Sequence, residues 1–212
     1  SMKNATGDVV SDHQQIAGMF WSEFKNRMGH AQGIQMGFDL ENLLARVDGL
    51  EDLSKPFSEV EVDEVIKHLP LDRAPGPDGF TGLFLKKCWH ILKADFLDLV
   101  KEFYEGKCNL ECLNTSFITL IPKKLSSEFV GDFRPISLTN TCLKFLTKLL
   151  ANLLQNVILT CIHQNQYGFL KDRVIQDCLG WAYEYLFQCY KSREKLLVLK
   201  LYFEKAFDKV NL

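Results

Sequence analysis

Cys108 and Cys112, with Cys161 and His163 further along, have the side-chain types a transition metal prefers, since thiolate and imidazole are its usual donors. The three-residue gap between the two cysteines recurs by chance and no second cysteine pair follows, so the sequence predicts no metal centre there. The seven cysteines (Cys88, Cys108, Cys112, Cys142, Cys161, Cys178 and Cys189) are odd in number and follow no repeating framework. Most fall in apolar helical patterns, where Cys acts as a small hydrophobe, the usage of a reduced compartment. Charge is the second chemical signal. The net charge is −2, yet residues 1–115 carry 12 Lys+Arg against 19 Asp+Glu, whereas residues 116–212 carry 13 against 8. The basic C-terminal half is therefore the candidate for an anionic partner such as RNA or DNA.

The elements that must position these residues are mostly helical. Asp12 to Met28 reads as a helix with Ile16, Met19, Phe20 and Phe24 on one face, a loosely attached leader ahead of a glycine-rich break at Gly29, Gly33 and Gly37. Phe38 to Ser54 adds a short amphipathic piece. Ser58 and Glu61 then form a capping box, with Phe57 and Val62 placed as a hydrophobic staple, which predicts a helix from Glu59 to His68. The segment Asp72 to Phe80 is a rigid turn, because its prolines and glycines alternate; Asp78 is expected to cap the helix that follows. Helices are predicted at Thr81–Leu92 and Asp95–Tyr104, and two short strands at Phe117–Pro122 and Asp132–Leu138 form a hairpin. A helix with a leucine stripe from Cys142 to Ile158, another from Val174 to Tyr190, and a buried strand from Lys195 to Phe203 complete the pattern.

Composition narrows the classes. The 212 residues are 47% hydrophobic with sixteen Phe and six Pro, the profile of a folded chain and not a disordered one. The longest apolar runs fall far short of the ~20 residues that a membrane helix needs, and the first ten residues lack a signal-peptide core. An intracellular chain, nuclear or cytoplasmic, without a membrane partner is expected.

Five segments, in order and in register, carry a resemblance. They are Ala74-Pro75-Gly76-Pro77-Asp78-Gly79-Phe80; Ile118-Thr119-Leu120-Ile121-Pro122-Lys123-Lys124; Phe133-Arg134-Pro135-Ile136-Ser137-Leu138; Gln166-Tyr167-Gly168-Phe169 with Arg173; and Leu199-Lys200-Leu201-Tyr202-Phe203-Glu204-Lys205-Ala206-Phe207-Asp208. Together they resemble the reverse transcriptases of LINE-type (non-LTR) retrotransposons, plant ones especially, whose family activity is RNA-directed DNA polymerisation. The resemblance implies an α+β fold: the mostly helical fingers subdomain of a right-hand polymerase with an incomplete palm. It divides the chain into an N-terminal helical extension (1–56), a fingers-like region (57–195) and a first palm strand with a truncated end (196–212). The later palm motifs, the thumb and an upstream endonuclease are expected to be absent.

The resemblance also implies roles residue by residue. Lys123, Lys124 and Arg134 lie where the family's fingers hairpin reaches the phosphates of an incoming nucleotide, and Phe207 matches the aromatic that screens out a ribose 2′-hydroxyl. Gln166, Phe169 and Arg173 match a loop that touches template; Arg173 is expected to meet phosphate, and Phe169 to be packed and not stacked on a base. Tyr202 occupies the position of a metal-binding Asp. Two-metal nucleotidyl transfer needs carboxylates from separate strands around Mg²⁺, and a phenol with a pKa of ~10 is a poor ligand for so hard a cation. Asp208 does not replace it, because the family keeps an Asp there as well. No intact catalytic residue, no metal and no cofactor are expected, although the intact family uses Mg²⁺. Two readings follow: a catalytically dead polymerase-derived domain with weak nucleic-acid or nucleotide affinity, or a domesticated module for protein–protein interaction or self-association through exposed apolar surface.

Overall fold

The computed structural model describes residues 1–28, 39 and 47–201. The described residues fall into two compact units. One takes in the described parts of 1–44, 118–137 and 199–212; the other comprises 45–117 with 138–198.

The larger unit is helical. Its first long element after the short 3-10 turn Glu51–Ser54 is α2 (Glu59–His68), numbered after the leading helix α1 (His13–Met28). The capping box at its start is formed as predicted: the Ser58 side chain accepts from Glu61 N–H, and Glu61 Oε2 accepts from Ser58 N–H at 2.8 Å. The two helices expected at 81–92 and 95–104 are one continuous helix, α3 (Gly82–Tyr104). Nothing between Leu92 and Asp95 breaks helical geometry, and Lys93 at the expected gap is held by Asp63 at 2.8 Å. A short helix α4 (Leu110–Leu113) leads to the strands β3 (Ser116–Pro122) and β4 (Phe133–Thr139), which follow the small strands β1 (Met2–Lys3) and β2 (Val9–Val10) in the numbering. Then come α5 (Thr141–Gln155), α6 (Ile158–Cys161) and α7 (Ile175–Ser192).

The core of this unit is where α2, α3 and α5 meet. Val62, Val65 and Ile66 from α2, Leu85, Phe96 and Val100 from α3, and Phe145, Leu146 and Leu149 from α5 form one buried cluster. Phe145 stands edge-on to Phe96, with ring centroids 4.9 Å apart, and Trp89 closes the group at 5.5 Å from Phe96. The Trp89 indole N–H donates to Asp63 Oδ1 at 2.9 Å, so the ring's polar end is satisfied at the edge of the core. The leucine stripe read from α5 is this buried face.

In the smaller unit, β1 and β2 pair antiparallel, with Met2 opposite Val10 and Lys3 opposite Val9. The hairpin β3–β4 forms the separate two-stranded sheet that the sequence predicts. The leading helix is not loosely attached: Phe20 of α1 packs edge-on against Phe133 of β4 at 5.3 Å and stacks on the buried Phe24. Its apolar face finds a partner on the hairpin, which helical periodicity alone could not name.

Residues 194–201 are neither helix nor strand. The strand expected from Lys195 to Phe203 therefore does not form over its described part, and it does not pair with the hairpin. A strand has no hydrogen-bonded ladder without a neighbour. Tyr202 and Phe203 lie outside the described residues. Among the described residues, no helix is long and apolar enough to cross a membrane.

Candidate functional site

The turn Ala74–Phe80, read from sequence as rigid, holds the start of α5. Asp78 Oδ2 accepts from Thr141 N–H at 2.6 Å, in the first turn of that helix, where a carboxylate meets unpaired N–H groups and the positive end of the helix dipole. Its other oxygen accepts from Phe80 N–H at 3.3 Å. Asp78 thus caps α5 and not the helix that follows it in sequence; α3 is capped by Thr81, whose hydroxyl accepts from Phe84 N–H. Asp78 N–H donates to Asn140 Oδ1 at 3.1 Å, Thr141 Oγ1 donates to Phe80 O at 2.7 Å, and Lys144 Nζ donates to Ala74 O at 2.8 Å. Gly76 is buried against the end of β4, where an added Cβ would lie 2.3 Å from Thr139 O. Only a residue without a side chain permits that approach.

The structure brings Lys123, Lys124 and Arg134 onto one hairpin. Lys123 is folded back, its Nζ donating to Gly131 O at 2.7 Å while its N–H donates to Asp132 O at 2.8 Å. Lys124 pairs with Asp132 Oδ1 at 2.9 Å. Asp132 also accepts from the N–H groups of Glu128 and Phe129 at 3.1 and 3.2 Å. The bond from Lys124, and then those N–H groups, hold its carboxyl below the usual carboxylate range. Asp132 is a residue that the sequence reading missed; its position one residue before β4, opposite a lysine pair, was the available signal. Glu128 in turn accepts from Lys3 Nζ at 2.6 Å, which fastens β1 to the hairpin loop. Arg134 is exposed on β4 and has no hydrogen bond or ion pair among the described residues.

Gln166 and Arg173 belong to the helical unit, in the turn before α7. The Arg173 guanidinium donates from Nη1 to His163 O and Gln166 O, each at 2.7 Å, and from Nη2 to Ile162 O at 3.4 Å. It ties the turn together, so most of its donors are committed to backbone carbonyls. Gln166 is exposed, with its Nε2 3.4 Å from Gly168 O. Phe169 is not packed: it is fully exposed and has a φ of 64°, in the left-handed region. Tyr202 and Phe207 lie outside the described residues.

The cysteines carry no cluster. Cys108, Cys112, Cys161 and His163 do not converge, and among the described residues no three His, Cys, Asp or Glu side chains are placed to hold a metal ion. Burial, and next the charge of Asp78, push the Cys142 thiol up from its ordinary value, away from the reactive thiolate.

The family described as "Reverse transcriptase (RNA-dependent DNA polymerase)" matches residues 121–212. The "Transposon TX1 uncharacterized 149 kDa protein" of Xenopus laevis is 30% identical over 162 residues, 76% of this chain and 12% of that protein. The "Probable RNA-directed DNA polymerase from transposon BS" of Drosophila melanogaster is 23% identical, over 96% of this chain and 23% of its own length. The "Retrovirus-related Pol polyprotein from type-2 retrotransposable element R2DM" of the same fly is 24% identical, over 100% of this chain and 19% of its own. The chain thus spans between an eighth and a quarter of these relatives.

Proposed function

We propose, from the premise that this chain is a reverse-transcriptase-like domain of the non-LTR retrotransposon kind, that it binds nucleic acid or nucleotide phosphate through its β3–β4 hairpin and does not polymerise. The observation that carries the binding is Arg134: an exposed guanidinium with no partner among the described residues, on the same hairpin as Lys123 and Lys124. A planar fork of donors left unpaired suits a phosphate oxygen pair. Lys124 is a weaker contributor, since a phosphate must displace Asp132 from it. Arg173 acts by shaping the turn, because its donors already hold three carbonyls.

The test is a salt titration of binding to single-stranded RNA by fluorescence anisotropy. Phosphate contacts release counterions, so affinity falls steeply as salt rises. Arg134→Ala should lower the salt slope by about 1 without changing sequence preference. A variant with Ala at Lys123, Lys124, Arg134 and Arg173 that binds as the parent does ends this reading. Inactivity rests on Tyr202. Primer extension on an RNA template with Mg²⁺ should fail for the parent and for Tyr202→Asp, and extension by either overturns it.

A second reading is favoured by α7, which exposes Leu179, Trp181, Tyr183, Tyr185, Phe187 and Tyr190. So large an aromatic surface suits a protein partner or self-association. Association through it would persist at high salt, where hairpin binding would not.

A further inference from the structure

We propose that the groove along α7 bordered by Tyr167, Gln176, Asp177, Gly180, Trp181 and Glu184 binds the cationic side chain, arginine or lysine, of a basic peptide segment. The groove has a volume of about 450 Å³, room for a guanidinium or ammonium and its aliphatic stem. Asp177 lies four residues before Trp181 and Glu184 three after it, so both carboxylates share the indole's face of the helix. Trp181 is 70% exposed and makes no ring contact among the described residues, which leaves its π-face open to a cation.

The two carboxylates are short of partners. Neither belongs to an ion pair among the described residues, and Glu184 accepts one long bond, from Gln188 Nε2 at 3.4 Å. Asp63, Asp132 and Glu128 by contrast each hold a lysine. Gly180 sits in mid-helix, where glycine is the weakest helix former after proline. Packing does not demand it, since a Cβ there would meet nothing within 4 Å. Its effect is to keep the groove open beside the indole. An anionic ligand is repelled by both carboxylates, and an apolar one would strip them of water without pairing them. An indole flanked by two unpaired carboxylates is complementary to a cation with an apolar stem.

The test is an NMR titration of the ¹⁵N-labelled full chain with a peptide of alternating arginine and glycine. The indole N–H signal of Trp181 is identified by its loss in Trp181→Phe. A saturable shift of that signal, with Trp21 and Trp89 unmoved, is expected. The same peptide with citrulline for arginine should bind at least about tenfold more weakly, as loss of the charge predicts. The double variant Asp177→Asn with Glu184→Gln should also lose about tenfold. Gly180→Leu, which favours the helix and fills the groove, should abolish the shift. Equal binding of the citrulline peptide, an unchanged titration in Gly180→Leu, or shifts that bypass Trp181 would each overturn the proposal.

Discussion

Removal of the Asp78 carboxylate tests the central joint of the helical unit. Asp78→Ala leaves Thr141 N–H without its 2.6 Å acceptor in the first turn of α5 and Phe80 N–H without its 3.3 Å acceptor. Loss of a capping acceptor destabilises by about 1 kcal/mol. The vanished charge at a helix N-terminus adds about 0.3–1 kcal/mol, and a partly buried N–H left unpaired adds about 1 kcal/mol more. The expected loss is therefore about 2–3 kcal/mol, or a fall in Tm of roughly 4–12 °C for a chain of this size. Asp78→Asn keeps one oxygen for Thr141 N–H but loses the charge and the acceptor of Phe80 N–H, so a smaller loss of about 1–2 kcal/mol is expected. Urea unfolding gives the magnitudes, and amide hydrogen exchange gives the location. Protection should fall in the first turn of α5 while the first turn of α3 keeps its Thr81 cap. A loss under about 0.5 kcal/mol, or one confined to α3, would refute the assignment of Asp78 to α5.

Other outcomes follow from the same contacts. Gly76→Ala forces a Cβ to within 2.3 Å of Thr139 O, backbone against which nothing flexible can yield, and should destabilise by more than about 2 kcal/mol in the same urea assay. Phe145→Ala, which empties the aromatic centre of the core, should lose about 3–5 kcal/mol. The hairpin loop should loosen in acid: the carboxyl of Asp132 is depressed by Lys124, so its contribution is present above the ordinary value of 3.8 and is lost as pH falls through the lower folded value. The amide shifts of Glu128 and Phe129 should follow that titration, and Asp132→Asn should abolish it. Asp63, held low first by Lys93 and then by the Trp89 indole, should behave alike, with the Trp89 fluorescence as its reporter.

The sequence alone determined the local chemistry of this protein. Ser58 and Glu61 fix a helix start because both halves of a capping box lie three residues apart, and the structure forms it. The period of the apolar residues in α5 names its buried face, and the rigid turn at Ala74–Phe80 follows from where proline and glycine stand. The motifs that carry the resemblance to reverse transcriptases were legible too, since their order and register are written in the chain itself. Tertiary structure decided which partner each group finds. Asp78 is near Thr81 in sequence yet caps a helix beginning 63 residues later, because chain reversal brings that N-terminus to it and α3 already has Thr81. Arg173 carries the charge of a phosphate ligand, but the turn it closes supplies carbonyls that claim it. Lys124 and Arg134 look equivalent as basic residues, and only the fold gives one of them Asp132 and leaves the other open. Local propensity acts over a few residues and is written in their order; charge pairing acts through space, so its outcome depends on which elements the core packs together.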